Sequence, residues 1–146
     1  MRRRAWVAPV LVFGAMLVAL SAVRLSDRAT AQVVPATQRD VFSAERAFAH
    51  LQDLLKENVP HPAGSVANAA IGNRIVEKLE RFGYEPQVQE GLQCSTLAPG
   101  CAFVRNIIAV RKGREAGKAV MVTAHYDSVP ASAAAADDGA GVAVML

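Results

Sequence analysis

Residues 119–146 read AVMVTAHYDSVPASAAAADDGAGVAVML, and this stretch decides which fold the sequence predicts. It opens with a continuous apolar run, residues 119–124, which is typical of a strand covered on both faces of a sheet. His125 and Asp127 follow the end of that run directly. A pair of aspartates comes ten residues after Asp127, before small residues that start a helix at Gly139. This order indicates an α/β fold with functional side chains at the end of a strand.

The residue types in this stretch suit a metal site. Neutral imidazole and carboxylate oxygen are ordinary zinc ligands, and a carboxylate can also bridge two metal ions. Side chains two positions apart on an extended chain point the same way, so Asp127 can reach a ring nitrogen of His125. The spacing alone leaves an ordinary alternative open, in which His125 is a hydrogen-bonded strand-end residue and the Asp-Asp-Gly triple is a turn with a helix N-cap.

The stretch resembles the first metal-binding block of the co-catalytic zinc exopeptidases of family M28, the group of aminopeptidase Y and bacterial leucyl aminopeptidase. Their pattern is a hydrophobic strand, His-x-Asp-Ser, a loop, and Asp-Asp or Asp-x before a glycine-bearing helix. The HYDSV sequence of residues 125–129 and the PHPAGS sequence of residues 60–65 are similar to the membrane-anchored branch, the vacuolar membrane proteases and endoplasmic reticulum metallopeptidase-like proteins. The resemblance covers residues 42–146. It implies an α/β zinc peptidase fold, a mixed central sheet with helices on both faces, of which these residues are the N-terminal part.

The same resemblance implies a role for each residue of the block. His125 resembles the histidine that binds one zinc, and Asp137 resembles the carboxylate that bridges both zinc ions. Asp127 resembles the acid that orients the histidine, and we count it with the catalytic residues. Asp138 is the neighbour of Asp137 across a peptide bond that is often cis in the family. The sequence departs from many relatives at residues 133–136, where four alanines replace a Pro-Gly-Ala-type loop.

The function that the resemblance implies is hydrolysis of a peptide bond, at a free N-terminus, with a peptide as substrate and two zinc ions as cofactors. A Glu-Glu pair that includes the general base, a later acidic ligand and a final histidine are expected beyond Leu146, because we interpret the sequence as an N-terminal fragment. Two alternatives remain open. One is a non-catalytic receptor-like domain of the same fold, and the other is a glutaminyl cyclase-type acyltransferase with a single zinc. The substrate side chain and the oligomeric state are not determined by the sequence.

The N-terminal sequence predicts that the domain is exported across a membrane. Arg2, Arg3 and Arg4 precede 19 uncharged residues, 5–23, which as a helix would span roughly 28 Å, close to the hydrocarbon thickness of a bilayer. The positive flank places the start of the chain in the cytoplasm and the domain outside it. We predict that residues 1–31 form a transmembrane signal-anchor. The alternative is a signal peptide cleaved after Ala31, in the small-x-small sequence of residues 29–31, which gives a secreted or periplasmic protein.

The distribution of charge argues against a nucleic-acid partner. Residues 1–31 contain five arginines and one acid, whereas residues 32–146 contain 11 basic and 12 acidic side chains. The net charge of +3 therefore comes from the N-terminus, and the domain itself has no basic excess for binding phosphates. A hydrophobic fraction of 52% also excludes a disordered chain.

Local signals divide the rest of the chain. Residues 32–41 contain a proline and no periodicity, which predicts a linker, and residues 42–146 are the peptidase part. Ser43 is a plausible N-cap for a first helix, Ser65 for a second, and Gly83 ends the second helix. Strands are predicted at residues 87–89, 102–111 and 119–124. The charged, glycine-containing turn at 112–118 predicts that the last two strands form a hairpin.

Five further residues have specific predictions. Cys94 and Cys101 lie in a loop-like stretch, and an extracytoplasmic compartment permits them to form a disulfide, with two unpaired thiols as the alternative. We interpret His50 as a surface or rim residue of the first helix and His61, between two prolines, as a turn residue. Asn106 resembles the asparagine of a family strand, and we expect it to point inward.

Overall fold

The computed structural model describes residues 7–26, 33–96, 100–115 and 117–146. The chain forms two compact units, Met1–Val33 and Val34–Leu146. The first contains helix α1, Val7–Ser26. Among the residues so described, no helix has the length and apolar character needed to cross a membrane. The predicted arginine flank at positions 2–4 and the predicted cleavage sequence at 29–31 lie outside the described residues.

The second unit begins with residues 34–41, which lie along the start of helix α2, Ala44–Leu54. We call residues 34–41 the strap. The guanidinium of Arg46 donates to the main-chain oxygens of three strap residues, at 3.2 Å for Ala36, 2.9 Å for Gln38 and 2.8 Å for Val41. The segment predicted as a linker is therefore hydrogen-bonded to the domain, because one arginine satisfies carbonyls that have no partner in a helix or a sheet.

Both predicted N-caps form. The Ser43 hydroxyl accepts from the amide of Arg46 at the start of α2, and the Ser65 hydroxyl accepts from the amide of Asn68 at 3.1 Å, at the start of helix α3, Val66–Arg81. Gly83 has a φ of +81° and directly follows the C-cap of α3, as predicted. Left-handed backbone at this position favours glycine, because a β-carbon would crowd the residue's own backbone at a positive φ.

The sheet has two antiparallel strands, β1 (Gln87–Cys94) and β2 (Cys101–Ile108). Their register pairs Gln87 with Ile108 at one end and Cys94 with Cys101 at the other. The two cysteines form a disulfide, as the sequence predicted. The combination of helices with this small sheet is an α/β architecture.

Two strand predictions were wrong. The first strand extends to Cys94 instead of ending at residue 89, and it pairs with β2. The predicted hairpin between β2 and residues 119–124 does not form among the described residues. Residues 119–124 form no strand among the described residues, and Val120 and Met121 are 91% and 84% exposed. An apolar strand of this kind is stable only when neighbouring strands cover it, and the described residues supply none.

A small apolar core joins the helices to the segment that follows residue 124. Helix α4, Ala140–Met145, inserts Val142 between the other two helices of this unit. Ala124 and Tyr126 pack against the same core, so both halves of the predicted metal block are anchored to it. The fully buried members of this core are Leu54, Ile71, Ile75 and Val142.

Candidate metal centre

The segment around His125 alternates between the core and the surface. The Tyr126 side chain points inward, and its hydroxyl donates to the main-chain oxygen of Arg105 at 2.9 Å. The side chains of His125 and Asp127 point outward and are 52% and 48% exposed. This is the period of two that an extended chain imposes, and it places the predicted pair on one side of the segment.

Asp127 contacts one ring nitrogen of His125. Nδ1 of His125 lies 3.4 Å from Oδ1 of Asp127 and 3.3 Å from the main-chain oxygen of the same residue. Both atoms are acceptors, so together they favour the tautomer with a proton on Nδ1. The other ring nitrogen, Nε2, is then directed away from Asp127.

Asp137 lies on the opposite side of the imidazole. Its Oδ1 atom is 3.0 Å from Nε2 of His125, and its side chain is 93% exposed. Asp137 reaches this position because the backbone leaves helical geometry there, with φ of −133° and ψ of 91°. The peptide bond between Asp137 and Asp138 is cis, as the family resemblance implied.

The contact with Asp137 is the main reason that the pKa of His125 is raised above its ordinary value, and the Asp127 contacts act in the same direction. The protonated ring donates from both nitrogens, one proton toward each aspartate. A metal ion at Nε2 would replace that proton, since metal ligands bind as neutral imidazole.

Asp138 has a different role from its neighbour. Its Oδ1 atom accepts from the amide of Gly141 at 3.0 Å and so satisfies a free N–H at the start of α4. A β-carbon at position 141 would overlap this carboxylate, which explains why a glycine stands there. Asp138 therefore stabilises the turn that presents Asp137 and does not face His125.

The four-alanine loop follows a defined path despite its departure from the family pattern. Ala134 is buried with a positive φ of 49°, and its main-chain oxygen accepts from the amide of Gly139 at 3.0 Å. A β-carbon at Gly139 would lie 2.9 Å from that oxygen, so the close approach requires glycine. The loop is thereby closed against the start of α4.

The site faces a cavity of about 150 Å³. Its lining includes the imidazole of His125, the carboxylates on either side of it, and the buried residues Ser128 and Ala134. The remaining lining residues are Val129 and Ser132.

Comparison with known proteins identifies a related family. Residues 106–146 match the model of Peptidase family M28. This part of the chain belongs to peptidase family M28. The match includes every residue of the His125–Asp137 block and the helix behind it.

The similarity to curated relatives covers more of the chain than residues 106–146. The chain is 30% identical over 115 residues to a vacuolar membrane protease of Candida albicans and 32% identical over 124 residues to one of Schizophyllum commune. It is 31% identical over 130 residues to the probable lipoprotein aminopeptidase LpqL of Mycobacterium tuberculosis. These alignments cover 77%, 77% and 86% of the chain but only 14%, 14% and 25% of the relatives. No solved structure matches.

The donor atoms of His125 and Asp137 fit part of a zinc site. Ligand atoms bound at about 2.0–2.1 Å in a tetrahedron lie about 3.3 Å apart, and the His125 and Asp137 atoms are separated by 3.0 Å. Within the described ranges, no group of three or more His, Cys, Asp or Glu side chains is placed to hold a metal ion. Because a catalytic zinc uses three protein ligands, these two side chains provide an incomplete set.

Sequence reasoning missed one contact of the metal block, which is made by a residue far from it in sequence. His61, predicted as a turn residue, is 1% exposed, and its main chain bonds to Ser128, beside Asp127. No local signal reveals such a contact across 67 positions. His50 is half-buried against Phe82, as a rim residue should be, whereas Asn106 is exposed on β2 and the prediction that it points inward was wrong.

Proposed function

We propose that this chain provides the first metal-binding segment of a zinc-dependent peptidase that hydrolyses peptide bonds at free N-termini. The observation that supports the proposal best is the placement of two acidic side chains on the two ring nitrogens of His125. Relatives named as proteases and as an aminopeptidase support the same reaction class.

In this proposal each residue has one task. Asp127 accepts the Nδ1 proton of His125 and holds the ring so that Nε2 is a metal ligand. Asp137 supplies a carboxylate beside Nε2 and would hold zinc together with His125, shared between two zinc ions in this proposal. Zinc held there would lower the pKa of a coordinated water and polarise the scissile carbonyl.

The remaining groups lie, in our proposal, in the part of the protein that follows Leu146. The chain spans 14% to 25% of the length of the curated relatives named above, so their domains have ample room for further ligands and a general base. We place there the Glu-Glu pair, the later acidic ligand and the final histidine, together with the strands that would cover residues 119–124 as part of a mixed central sheet.

We place the domain on the extracytoplasmic side of a membrane. The disulfide between Cys94 and Cys101 supports this location, because disulfides persist in oxidising compartments. The uncharged run at residues 5–23 behind three arginines supports a retained N-terminal anchor. N-terminal sequencing of the membrane fraction tests it, and a mature start at Gln32 would instead indicate a secreted or periplasmic enzyme.

The activity is tested with the full-length protein and aminoacyl and N-blocked peptide substrates. We expect hydrolysis of the free N-terminal substrates, loss of activity with a zinc chelator and recovery on adding zinc, with two zinc ions per chain. Cyclisation of N-terminal glutamine with one zinc per chain would indicate the acyltransferase alternative. Absence of zinc and of any turnover would indicate the receptor-like domain.

A further inference from the structure

A buried contact ties the PHPAGS segment to the metal block. The amide of His61 donates to the hydroxyl of Ser128 at 2.7 Å, and the amide of Ser128 donates to the main-chain oxygen of His61 at 3.2 Å. Both residues are buried, at 1% and 7% exposure. Two reciprocal bonds between buried groups fix Ser128 more firmly than one, because neither group can exchange its partner for water.

Further bonds support both ends of this contact. The Ser128 hydroxyl donates to the main-chain oxygen of Val129 at 2.9 Å, so its lone pair is directed at the His61 amide. Nδ1 of His61 lies 2.9 Å from the main-chain oxygen of Val59, so the imidazole is held against its own segment. The hydroxyl of Ser128 and the conformation of His61 are thus each determined by a second bond.

The residue on the other side of Asp127 is held by the same region. The side-chain amide of Asn68, which is buried in the first turn of α3, lies 3.5 Å from the main-chain oxygen of Tyr126. This contact is long for a hydrogen bond and weaker than those of Ser128. Asp127 therefore lies between two residues whose backbone is attached to residues 61–68, while its own side chain is exposed to solvent at the surface.

We propose that residues 61–68 position Asp127, with Ser128 and Asn68 as positioning residues that set the orientation of His125 toward zinc. The inference rests on the proposed function. Asp127 is half-exposed, and its carboxylate oxygens have no described partner except His125, so its direction depends on the backbone at residues 126 and 128. A rotation of that backbone would move the carboxylate from Nδ1 and leave the imidazole free to turn.

The test uses Ser128→Ala in the full-length protein, with Ser43→Ala as the matched control. Ser43 is also a buried serine with a hydroxyl bonded to main chain, at 2.7 Å from the oxygen of Val34, but its hydrogen bonds are to Val34, Arg46 and Ala47 and not to the metal block. For each variant the measurements are the zinc dissociation constant by chelator competition, the melting temperature of the metal-free protein, and kcat and KM for an aminoacyl substrate.

We expect Ser128→Ala to weaken zinc binding about tenfold and to lower kcat with KM unchanged, as for other residues that orient a metal ligand. Ser128→Thr should restore both, because it keeps the hydroxyl. Ser43→Ala should lower the melting temperature and leave zinc binding within twofold of the wild type. Equal effects of the two alanine variants on zinc binding would overturn the inference.

A double-variant cycle identifies the route of the effect. If Ser128 acts through Asp127, adding Ser128→Ala to Asp127→Asn should change zinc binding by less than twofold, whereas independent effects would multiply and overturn the inference. Should Ser128→Ala fail to fold, Asn68→Leu decides. The Asn68→Leu variant removes the side-chain amide that contacts Tyr126 and keeps a similar side-chain volume. Normal zinc binding in this variant would contradict the proposal, and so would a failure of this variant to fold.

The outcomes also separate the inference from the proposed function. A wild-type protein without zinc or turnover contradicts the proposed function itself. A wild-type enzyme that is impaired by Asp127→Asn but not by Ser128→Ala keeps the proposed function and refutes only the positioning role.

Discussion

Nε2 of His125 lies 3.0 Å from Oδ1 of Asp137, across a loop of eleven intervening residues. The loop closes because Gly139 bonds back to Ala134 and because Val142 is buried in the core with Leu54 and Ile71. The position of Asp137 beside His125 therefore depends on how α4 packs into the core and not on the loop sequence alone.

The two aspartates that contact His125 should differ in their effect on activity. In the full-length protein, Asp137→Asn should lose most activity and zinc, because in the proposed site this carboxylate is shared by two zinc ions. Asp127→Asn should lower activity about 10–100-fold, since in the proposed site it orients a ligand without being one. Activity assays with zinc analysis check this, with the surface variant Asp53→Asn as the control. Full activity and zinc content in Asp137→Asn would contradict the assignment.

Residues 1–146 alone should bind zinc weakly and hydrolyse no aminoacyl substrate, because two ligand side chains do not complete a catalytic site. Their zinc affinity should fall as the pH is lowered through the raised pKa of His125, since the proton shared with Asp137 competes with the metal. Chelator competition across a pH series measures this. Turnover by this piece, or zinc binding that is independent of pH, would refute the prediction.

Gly141→Ala should impair the site more than the fold. The added β-carbon would displace the Asp138 carboxylate from its bond to the amide of residue 141, a cap worth about 1 kcal/mol, while alanine favours the helix by up to about 1 kcal/mol. Zinc binding should therefore weaken with little change in the melting temperature. Gly113→Ala, where the β-carbon meets only ordinary contacts, is the control. In an Asp138→Ala background Gly141→Ala should not destabilise, and destabilisation there would disprove the explanation.

Arg46→Met should release the strap from α2. The change keeps an apolar stem and removes three bonds to strap carbonyls, which are exposed, so we expect a loss of about 1 kcal/mol in unfolding free energy. Limited proteolysis should then cut within residues 34–41 much faster than in the wild type. Arg39→Met is the control, since Arg39 has no hydrogen bond to another described residue. Unchanged cleavage in Arg46→Met would show that other contacts hold the strap.

Removal of the disulfide should destabilise the domain without affecting zinc. Replacing both Cys94 and Cys101 by serine should cost roughly 2–3 kcal/mol in the chain-entropy model, because the closed loop is short. Mass labelling of exported, unreduced protein should find no free thiol at these positions. Two labelled thiols, or a loss of zinc in the double variant, would contradict the prediction.

Features that depend on neighbouring residues were predictable from the sequence. The caps at Ser43 and Ser65 and the helix end at Gly83 each follow from a side chain or a backbone conformation within a few positions. The outward pairing of His125 with Asp127 follows from the alternation of an extended chain. Such signals are local, so a single sequence contains all the information that they need.

Tertiary structure alone decided the contacts between distant segments. β2 pairs with β1 and not with residues 119–124, and His61 is a buried partner of Ser128 and not an isolated turn residue. Strand partners and buried hydrogen bonds are selected by which apolar surfaces pack together, and composition and periodicity do not specify that choice. The sequence by itself determined that a histidine and three aspartates lie in one short segment, and the packing of α4 into the core decided that His125 and Asp137 meet.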